Sequence, residues 1–163
     1  MKAVIQRVKS ASVTVDNQLI SQIGRGLLVL VGVSRDDTVE DAEKIASRIL
    51  RLKLWEDAET KAPWKTNVAE LKFPETETLT SHGQVLCVSQ FTLYANIKKG
   101  AKPDFHRAAK GDIARELYAK VLDLVAAGMP NGKDDVKDGV FGAMMDVALV
   151  NDGPVTIEVD SRA

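Results

Sequence analysis

The sequence is poor in the residue types that many enzymes use for covalent or metal chemistry. It contains one cysteine and two histidines, which excludes an intramolecular disulfide and fits a reducing compartment. Neither histidine has another histidine, a cysteine or a carboxylate at metal-ligand spacing, so we expect no metal and no cofactor. No apolar run approaches the roughly 18 residues of a membrane helix, and the first residues, MKAVIQR, are too polar for a signal peptide. We therefore predict a soluble, cytoplasmic protein without membrane attachment.

Charge and length narrow the function classes further. The net charge is −1, so no global basic field indicates a nucleic-acid partner, and a local basic patch has to be sought instead. A chain of 163 residues is most simply one domain, and a domain of this size can bury roughly 70% of its unfolded surface. We expect a single domain over residues 1–163 with an irregular insert around residues 57–83.

Hydrophobic periodicity predicts many short strands and two main helices. The apolar run GLLVLVGV at residues 26–33 suits a strand buried on both faces. Apolar residues recur at helical spacing after Thr38, a predicted N-cap, and again from Gly111 to Gly128. The predicted strands cover residues 3–8, 11–15, 19–23, 26–33, 54–56, 84–93, 136–140, 144–150 and 155–159, and the helices cover 38–52 and 111–128.

The order of these elements predicts a layered α/β domain in which the two helices cover one side of the sheets. Doubly wound nucleotide-binding folds need more alternation of strand and helix. The sequence also contains neither GxGxxG nor GxxxxGK[ST], which argues against the common phosphate-binding loops.

The cysteine and the histidines each have a simple structural interpretation. Cys87 lies in the apolar string VLCVSQF and is expected to be a buried core residue. His82, in a polar turn, and His106, in a basic segment, are expected at the surface. The order of the Ser, His and Asp residues along the chain is compatible with a Ser-His-Asp triad, but the sequence contains no GxSxG nucleophile elbow to support one.

Two strings carry most of the functional information: SQFTLY at residues 89–94 and NDGPVT at residues 151–156. Both lie at the edge of β-like runs, where backbone groups can face a ligand. The N–H groups of Phe91 and Thr92 can form an oxyanion hole, in which each donor is worth about 2.7–4 kcal/mol. Thr92 is either an activated nucleophile or a β-branched strand residue. Gly153–Pro154 is either a β-turn or a cis bond that holds two carbonyls rigidly.

A basic loop follows the first string. Lys98, Lys99, Lys102 and Arg107 surround Phe105 between the predicted strand and the second helix. The loop is either a solvated surface or a set of phosphate contacts that positions a nucleic acid without reading its sequence.

The chain resembles the D-aminoacyl-tRNA deacylases, also called D-tyrosyl-tRNA deacylases, over nearly its whole length. The similarity begins with MKAVIQRV, continues through GRGLLVLVGV at residues 24–33, and is closest at VSQFTLYA, residues 88–95. It ends with GVFGAMM at residues 139–145 and LVNDGPVT at residues 149–156. The resemblance implies a single α/β domain of three layers, α/β/β, with mixed sheets and two main helices.

The resemblance also implies a tRNA substrate and a homodimer whose active sites lie at the subunit interface. Gly153–Pro154 is expected to be cis and to enter the partner's site, where its carbonyls meet the aminoacyl group and exclude an L-side chain. Arg7 is expected to brace this motif, and Met144 is assigned to the same substrate-binding and chirality-selecting set. The implied catalytic-site residues are Ser89, Gln90, Phe91 and Thr92, and the implied tRNA contacts are Lys98, Lys99, Lys102 and Arg107.

The implied reaction is hydrolysis of the ester that joins a D-amino acid to tRNA, which releases both. The ribose 2′-OH beside the ester can assist attack by water, and proximity of this kind is worth about 7–11 kcal/mol. Nucleophilic attack by Thr92 is the alternative route. A site that rejects any L-side chain would still admit glycyl-tRNA. The competing function is a non-catalytic nucleic-acid-binding module, for example one that acts at replication origins.

The insert departs from the family pattern. Members usually have a short polar stretch after the LWED string at residues 54–57, whereas residues 61–82 are longer here and contain Pro63, Trp64 and Phe73. The segment is either a surface elaboration or a flap over the site.

Overall fold

The computed structural model describes residues 1–74, 80–98 and 100–163, so Lys99 and residues 75–79 of the predicted insert lie outside the described residues. The described part of the chain forms six strands, two α-helices and two short 3-10 helices. The strands are β1 (Lys2–Val15), β2 (Gln18–Ile23), β3 (Gly26–Gly32), β4 (Gln84–Ser89), β5 (Val136–Asp138) and β6 (Asp146–Asp160). The helices are α1 (Val39–Arg51) and α2 (Gly111–Gly128), and the 3-10 helices are Phe91–Tyr94 and Gly132–Asp135.

Strand β1 organises a mixed sheet. It pairs antiparallel with β3 through residues 2–8, with β2 through residues 11–15, and with β6 along most of its length. Strands β3, β4 and β5 are parallel neighbours. The chain between β3 and β4 contains α1, and the chain between β4 and β5 contains α2. Crossovers of this kind are what parallel pairing requires.

Two cores on opposite faces of β3 and β4 produce the predicted α/β/β layers. Leu27 and Val29 of β3 pack into the larger core, which also contains the buried residues of both helices. Leu28 and Leu86 pack into a second core with residues of β1, β2 and β6. Side chains alternate across a strand, so the apolar run GLLVLVGV serves both cores, as its composition predicts.

The two helices lie close to their predicted bounds. Thr38 is the N-cap of α1, and the Asp41 carboxylate accepts a hydrogen bond of 2.9 Å from the Thr38 backbone N–H. This contact satisfies one of the donors that a helix start leaves without a partner. The apolar stripe of α1 packs with that of α2 in the larger core.

Several strand predictions need correction. Residues 3–8 and 11–15 form one strand, and residues 144–150 and 155–159 belong largely to one strand that begins at Asp146. The two strands, β1 and β6, pair with each other on both sides of two register shifts. The irregular residues in the middle of each strand therefore form bulges, and the strand continues past them. The predicted strand over residues 84–93 ends at Ser89. The Gln90 N–H makes the last hydrogen bond to β3, at the Val31 carbonyl, and the Gln90 carbonyl then accepts the Leu93 N–H at 3.3 Å as the chain turns into a 3-10 helix.

Residues of the predicted insert are anchored in the described structure. The predicted strand at residues 54–56 is only an isolated bridge between Trp55 and Thr66. Within this insert, Val68 and Leu71 are buried in the larger core. A second bridge joins Lys72 to His82 and returns the chain to the start of β4.

A buried polar cluster ties the start of β1 to helix α1 and the last residues of the chain. The Met1 amino group donates hydrogen bonds of 2.6 Å to both Asp37 and Ser161, and the Ser161 hydroxyl donates one of 2.6 Å to Asp41. Burial by itself raises the pKa of Asp41. Hydrogen bonds from Ser161 and Thr38 and the charge of the amino group outweigh burial, and hold that pKa well below its usual range.

We predict that Asp41→Asn lowers the free energy of unfolding at pH 7 by about 1–3 kcal/mol, because the cluster is arranged for a carboxylate. The pKa of Asp41 is lower in the folded chain than in the unfolded chain, where it is about 3.9. The ionised carboxylate therefore stabilises the fold above about pH 3.9, and this stabilisation is lost as the pH falls through the native pKa. The difference in free energy of unfolding between the Asp41→Asn protein and its parent, measured by urea denaturation, should therefore become smaller from pH 7 to pH 3.

Asp123→Asn is the matched control, since Asp123 is an exposed acid of α2 that lies 3.7 Å from Lys133. Loss of such a surface pair should cost less than about 1 kcal/mol. Equal stability of the Asp41→Asn protein and its parent at pH 7 would contradict the prediction.

Candidate active site

A groove of about 640 Å³ opens where β3 and β4 end. Val31 and Val88 form its floor, and Ala114, near the start of α2, forms part of one wall. The connection between β5 and β6 supplies the other wall through Phe141 and its neighbours up to Met145. Ligands of α/β sheets commonly bind at the carboxyl ends of adjacent parallel strands, so this groove is the leading candidate for the active site.

All four predicted catalytic-site residues line this groove. Ser89 is the last residue of β4, and the Gln90 N–H donates to the Val31 carbonyl at 2.8 Å, which continues the pairing of β4 with β3 up to the groove. Phe91 and Thr92 begin the 3-10 helix. The half-exposed Phe91 ring contacts the ring of Phe105 edge to face, with 5.0 Å between ring centroids.

The described lining of the groove contains no side chain that titrates near neutral pH. Its polar groups are the side chains of Ser89, Gln90 and Thr92 together with the backbone. The Gln90 amide nitrogen donates a hydrogen bond to the Thr92 hydroxyl oxygen. An amide N–H cannot take a proton from that hydroxyl, so this contact does not activate Thr92 as a nucleophile.

Backbone donors lie beside these hydroxyls. No side chain caps the start of the 3-10 helix. The first N–H groups of a helix have no carbonyl partner within it, which leaves those of Phe91 and Thr92 available to an oxygen atom. The groove therefore offers neutral donors and apolar walls.

Cys87 lies directly behind the groove and takes no part in its surface. It is fully buried, and burial raises the pKa of its thiol, as does the charge of Asp138 to a smaller extent. A thiol held protonated is a poor nucleophile, so the predicted assignment of Cys87 to the core is confirmed.

A polar pair that no sequence pattern indicates supports the wall of the groove formed by Phe141. The Tyr118 hydroxyl donates to the Asp138 carboxylate, and the Tyr118 ring lies 5.7 Å from the ring of Phe141. Burial raises the pKa of Asp138 and outweighs the hydrogen bonds from Tyr118 and Gly139. Tyr118 occupies a regular position of an amphipathic helix, so no local pattern distinguishes it from an ordinary core residue.

The second string forms a bulge in the middle of β6. Asn151 pairs with Val8 and Thr156 pairs with Gln6, so residues 152–155 of β6 stand opposite Arg7 alone. The Asn151 side chain closes the base of the bulge, since it donates to Thr156 and accepts from the Val155 N–H, both at 3.0 Å. The side-chain hydrogen bonds of Asn151 thus stabilise the bulged conformation of residues 151–156.

Arg7 holds the bulge from the β1 side. Its Nε donates to the Asp152 carbonyl at 3.0 Å, and its Nη1 donates to the Leu54 carbonyl. The Gly153–Pro154 peptide bond is cis, as the resemblance implies, and Gly153 has φ of +129°. A Cβ atom on Gly153 would come within 2.9 Å of Val155 Cγ2 and 3.1 Å of Arg7 Nη2. The position therefore favours glycine on both conformational and steric grounds.

The two strings do not meet within one chain. Arg7, Gly153 and Pro154 line a separate cleft with Trp55 and Trp64, and none of these residues lines the groove of residues 89–92. Met144, which the sequence analysis grouped with Gly153, lies instead at the groove and is 91% exposed. Within one chain, the two strings therefore line different clefts.

The predicted tRNA contacts are only partly brought together. Lys98 and Arg107 line a third cleft beside the groove, whereas Lys102 is exposed and does not line it. Lys99 lies outside the described residues. His106 pairs with the Asp104 carboxylate, and His82 contacts Asp135.

Neither a metal site nor a membrane-spanning helix was found in the described parts of the chain. Over residues 1–74, 80–98 and 100–163, no three side chains among His, Cys, Asp and Glu converge in a way that could hold a metal ion. The helices within those same ranges are too short or too polar to cross a membrane.

Comparison with known proteins decides the family. A sequence model described as D-Tyr-tRNA(Tyr) deacylase matches residues 4–160. The chain belongs to this deacylase family. A Yarrowia lipolytica protein named D-aminoacyl-tRNA deacylase is 56% identical over 162 residues, which cover 99% of this chain and 98% of that protein. The Saccharomyces cerevisiae protein of the same name is 47% identical over 161 residues, with 99% of both chains covered.

Solved structures show the same deacylase fold. The structure of a protein named c-Myc DNA Unwinding Element Binding Protein has 43% identity and a TM-score of 0.86, with 100% of both chains covered. A second structure, of a probable eukaryotic D-amino acid tRNA deacylase, has 19% identity and a TM-score of 0.74, with 98% of both chains covered. The second similarity concerns the fold alone. Together they confirm the predicted single α/β domain with a mixed sheet and two helices.

We predict that Arg7→Met loosens the bulge of this family member. Methionine keeps the apolar stem but leaves the Asp152 and Leu54 carbonyls without their donor, which typically costs about 1–3 kcal/mol. Hydrogen exchange at the Val155 N–H should become at least about tenfold faster, since 1.4 kcal/mol corresponds to a factor of ten. Arg25→Met is the control, because Arg25 lines the same cleft but lies over the Phe73 ring. Unchanged exchange in Arg7→Met would contradict the bracing role.

Proposed function

We propose that this chain hydrolyses the ester of D-aminoacyl-tRNA and releases the free D-amino acid and the tRNA. The observation that carries the proposal is the groove of residues 89–92, which offers hydroxyls and backbone donors but no titrating side chain. Such a site cannot supply its own general base. It suits a substrate that brings a reactive hydroxyl with it, and family membership supports aminoacyl-tRNA as that substrate.

The terminal ribose of tRNA provides this hydroxyl. Its 2′-OH lies next to the ester carbonyl and assists attack by water, with an advantage of proximity of about 7–11 kcal/mol. The N–H groups of Phe91 and Thr92 then stabilise the oxyanion that develops on the carbonyl oxygen. The Thr92 hydroxyl positions the ribose or the water, and it does not form an acyl-enzyme.

Selection for the D-isomer comes from Gly153–Pro154 of a second copy of the chain. The exposed bulge is a rigid backbone edge, and its separation from the groove within one chain supports assembly in trans. Several exposed apolar side chains on β2, β6 and the nearby connection, including Leu19, Met144 and Val150, support burial of this surface in a homodimer. The backbone edge leaves space for hydrogen on one side of the α-carbon, so it rejects L-aminoacyl groups but admits a glycyl group.

The decisive experiment compares D-tyrosyl-, L-tyrosyl- and glycyl-tRNA as substrates of the purified chain. We expect rapid release of D-tyrosine and glycine and no measurable release of L-tyrosine. Gly153→Ala should abolish release of D-tyrosine while circular dichroism shows a retained fold, because the new Cβ displaces the edge. Gly132→Ala is the control, since Gly132 also has positive φ, at +59°, but a Cβ there meets only Ala126 at 3.9 Å.

Two outcomes would contradict this proposal. Equal hydrolysis of the D- and L-tyrosyl esters would contradict the proposed chiral selection. Full activity of Gly153→Ala would contradict the role proposed for the bulge. Binding of nucleic acid without hydrolysis of any ester would favour the competing function, which agrees with the name of the 43% identical DNA-binding protein.

We predict that Thr92→Ala retains kcat within about tenfold, since each 1.36 kcal/mol of lost positioning costs a factor of ten. Removal of a true nucleophile costs on the order of 10⁶ in kcat, as in a serine protease. Thr92→Ser keeps the hydroxyl and is the control. Single-turnover hydrolysis of D-tyrosyl-tRNA measures all three proteins, and a loss near the nucleophile value in Thr92→Ala alone would contradict the positioning role.

A further inference from the structure

The cleft beside the Gly153–Pro154 bulge contains a tryptophan that the fold leaves half exposed. The cleft has a volume of about 510 Å³, and Trp55, Pro63 and Trp64 contribute much of its apolar surface. Trp55 is buried, whereas Trp64 is 55% exposed. One exposed apolar side chain is ordinary on a protein surface. The case for a role of Trp64 therefore depends on how the chain holds it.

The segment that carries this tryptophan, residues 54–66, is a hairpin anchored to the bulge. Trp55 and Thr66 exchange two backbone hydrogen bonds of 3.2 and 3.0 Å, which close the base of the hairpin. The Arg7 guanidinium donates to the Leu54 carbonyl at this base, and the same guanidinium holds the bulge. The hairpin and the bulge are therefore two parts of one braced unit.

Trp64 has an unfavourable backbone conformation within the hairpin. Its φ is +58°, and among the described non-glycine residues with positive φ it is the one aromatic residue. Bulky side chains adopt this region only at a cost in free energy. The next N–H, that of Lys65, donates to the Trp55 carbonyl at 2.8 Å and helps to maintain the conformation. Strain of this kind is often retained where a side chain has a function.

The charged side chains in the described lining of the cleft already have partners. Arg7 lies 3.4 Å from the Asp152 carboxylate, and Glu56 lies 3.5 Å from the Lys61 ammonium. The Arg25 guanidinium lies 5.1 Å from the centre of an aromatic ring of the insert. A cleft with compensated charges and an exposed indole suits an uncharged, apolar group better than it suits a phosphate or a carboxylate.

We propose that Trp64 contacts the side chain of the D-aminoacyl group in the groove of a second copy of the chain, and so selects substrates by the size of that side chain. The proposal rests on the proposed function, in which Gly153–Pro154 enters that groove and meets the α-carbon. The bulge blocks one direction only, so a D-side chain leaves the α-carbon along another. Trp64 lines the cleft beside the bulge and reaches the same α-carbon with it. Part of the insert then covers the site as a flap.

The test compares kcat/KM for D-tyrosyl, D-alanyl and glycyl esters, each carried on the same tRNA. Trp64→Asn should lower the D-tyrosyl value roughly tenfold and the glycyl value by less than about twofold, with D-alanyl between them. Asparagine adopts positive φ readily, so this variant should unfold at or above the temperature of the parent. Trp64→Tyr keeps an aromatic ring at the position and should retain most of the D-tyrosyl value.

Lys61→Asn is the matched control. Lys61 is exposed in the same hairpin with φ of +59° and lies outside the described lining of the cleft, so all three values should stay unchanged. Equal losses on the three esters in Trp64→Asn would overturn the proposal, because Trp64 would then act on the shared RNA or through the bulge. Unchanged values in Trp64→Asn, or the same graded loss in Lys61→Asn, would also overturn it.

The unmodified chain separates failure of this inference from failure of the proposed function. Hydrolysis of the D-tyrosyl ester by the parent, with ratios among the three esters that Trp64→Asn does not change, contradicts the contact of Trp64 alone. Absence of hydrolysis of every ester by the parent contradicts the proposed function, and this inference with it.

Discussion

The pairing of β1 with β6 is the interaction on which the rest of this structure depends. It joins the beginning and end of the chain over most of two long strands. Its single large irregularity places four residues of β6 opposite Arg7, which produces the Gly153–Pro154 bulge. The same pairing brings Lys2 and Arg162 to one cleft. A one-residue change of register would move every side chain of β6 to the opposite face, so the hydrophobic pattern on both strands holds the site in place.

Among the described residues that line the groove, none has a side chain that titrates near neutral pH, which is consistent with the proposed chemistry. An enzyme whose substrate carries a hydroxyl beside the scissile ester needs orientation and donors more than it needs a base. In the proposed mechanism, a rigid bulge on a second copy supplies selection by exclusion, which requires no contact with the favoured isomer. That proposal accounts for the position of the two most specific strings in different clefts of one chain.

Local patterns predicted a large part of the fold. Helices α1 and α2 follow from apolar spacing and from Thr38, and the burial of β3 on both faces follows from its unbroken apolar run. The end of β4 at Ser89 could not be predicted, because the string SQFTL is as β-like as the residues before it. The Gln90 N–H makes the last bond to β3, and the chain turns where the Gln90 carbonyl accepts the Leu93 N–H.

The amino-acid sequence by itself determined the family, the two helices, the apolar core and the strings that form the candidate site. These properties depend on residue identity and on spacing within short segments. Tertiary structure alone decided that Met144 belongs to the groove, and that Lys98 and Arg107 share a cleft with both chain ends while Lys102 does not. The physical reason is that these contacts join segments far apart in sequence, and only the register of paired strands determines which of them meet.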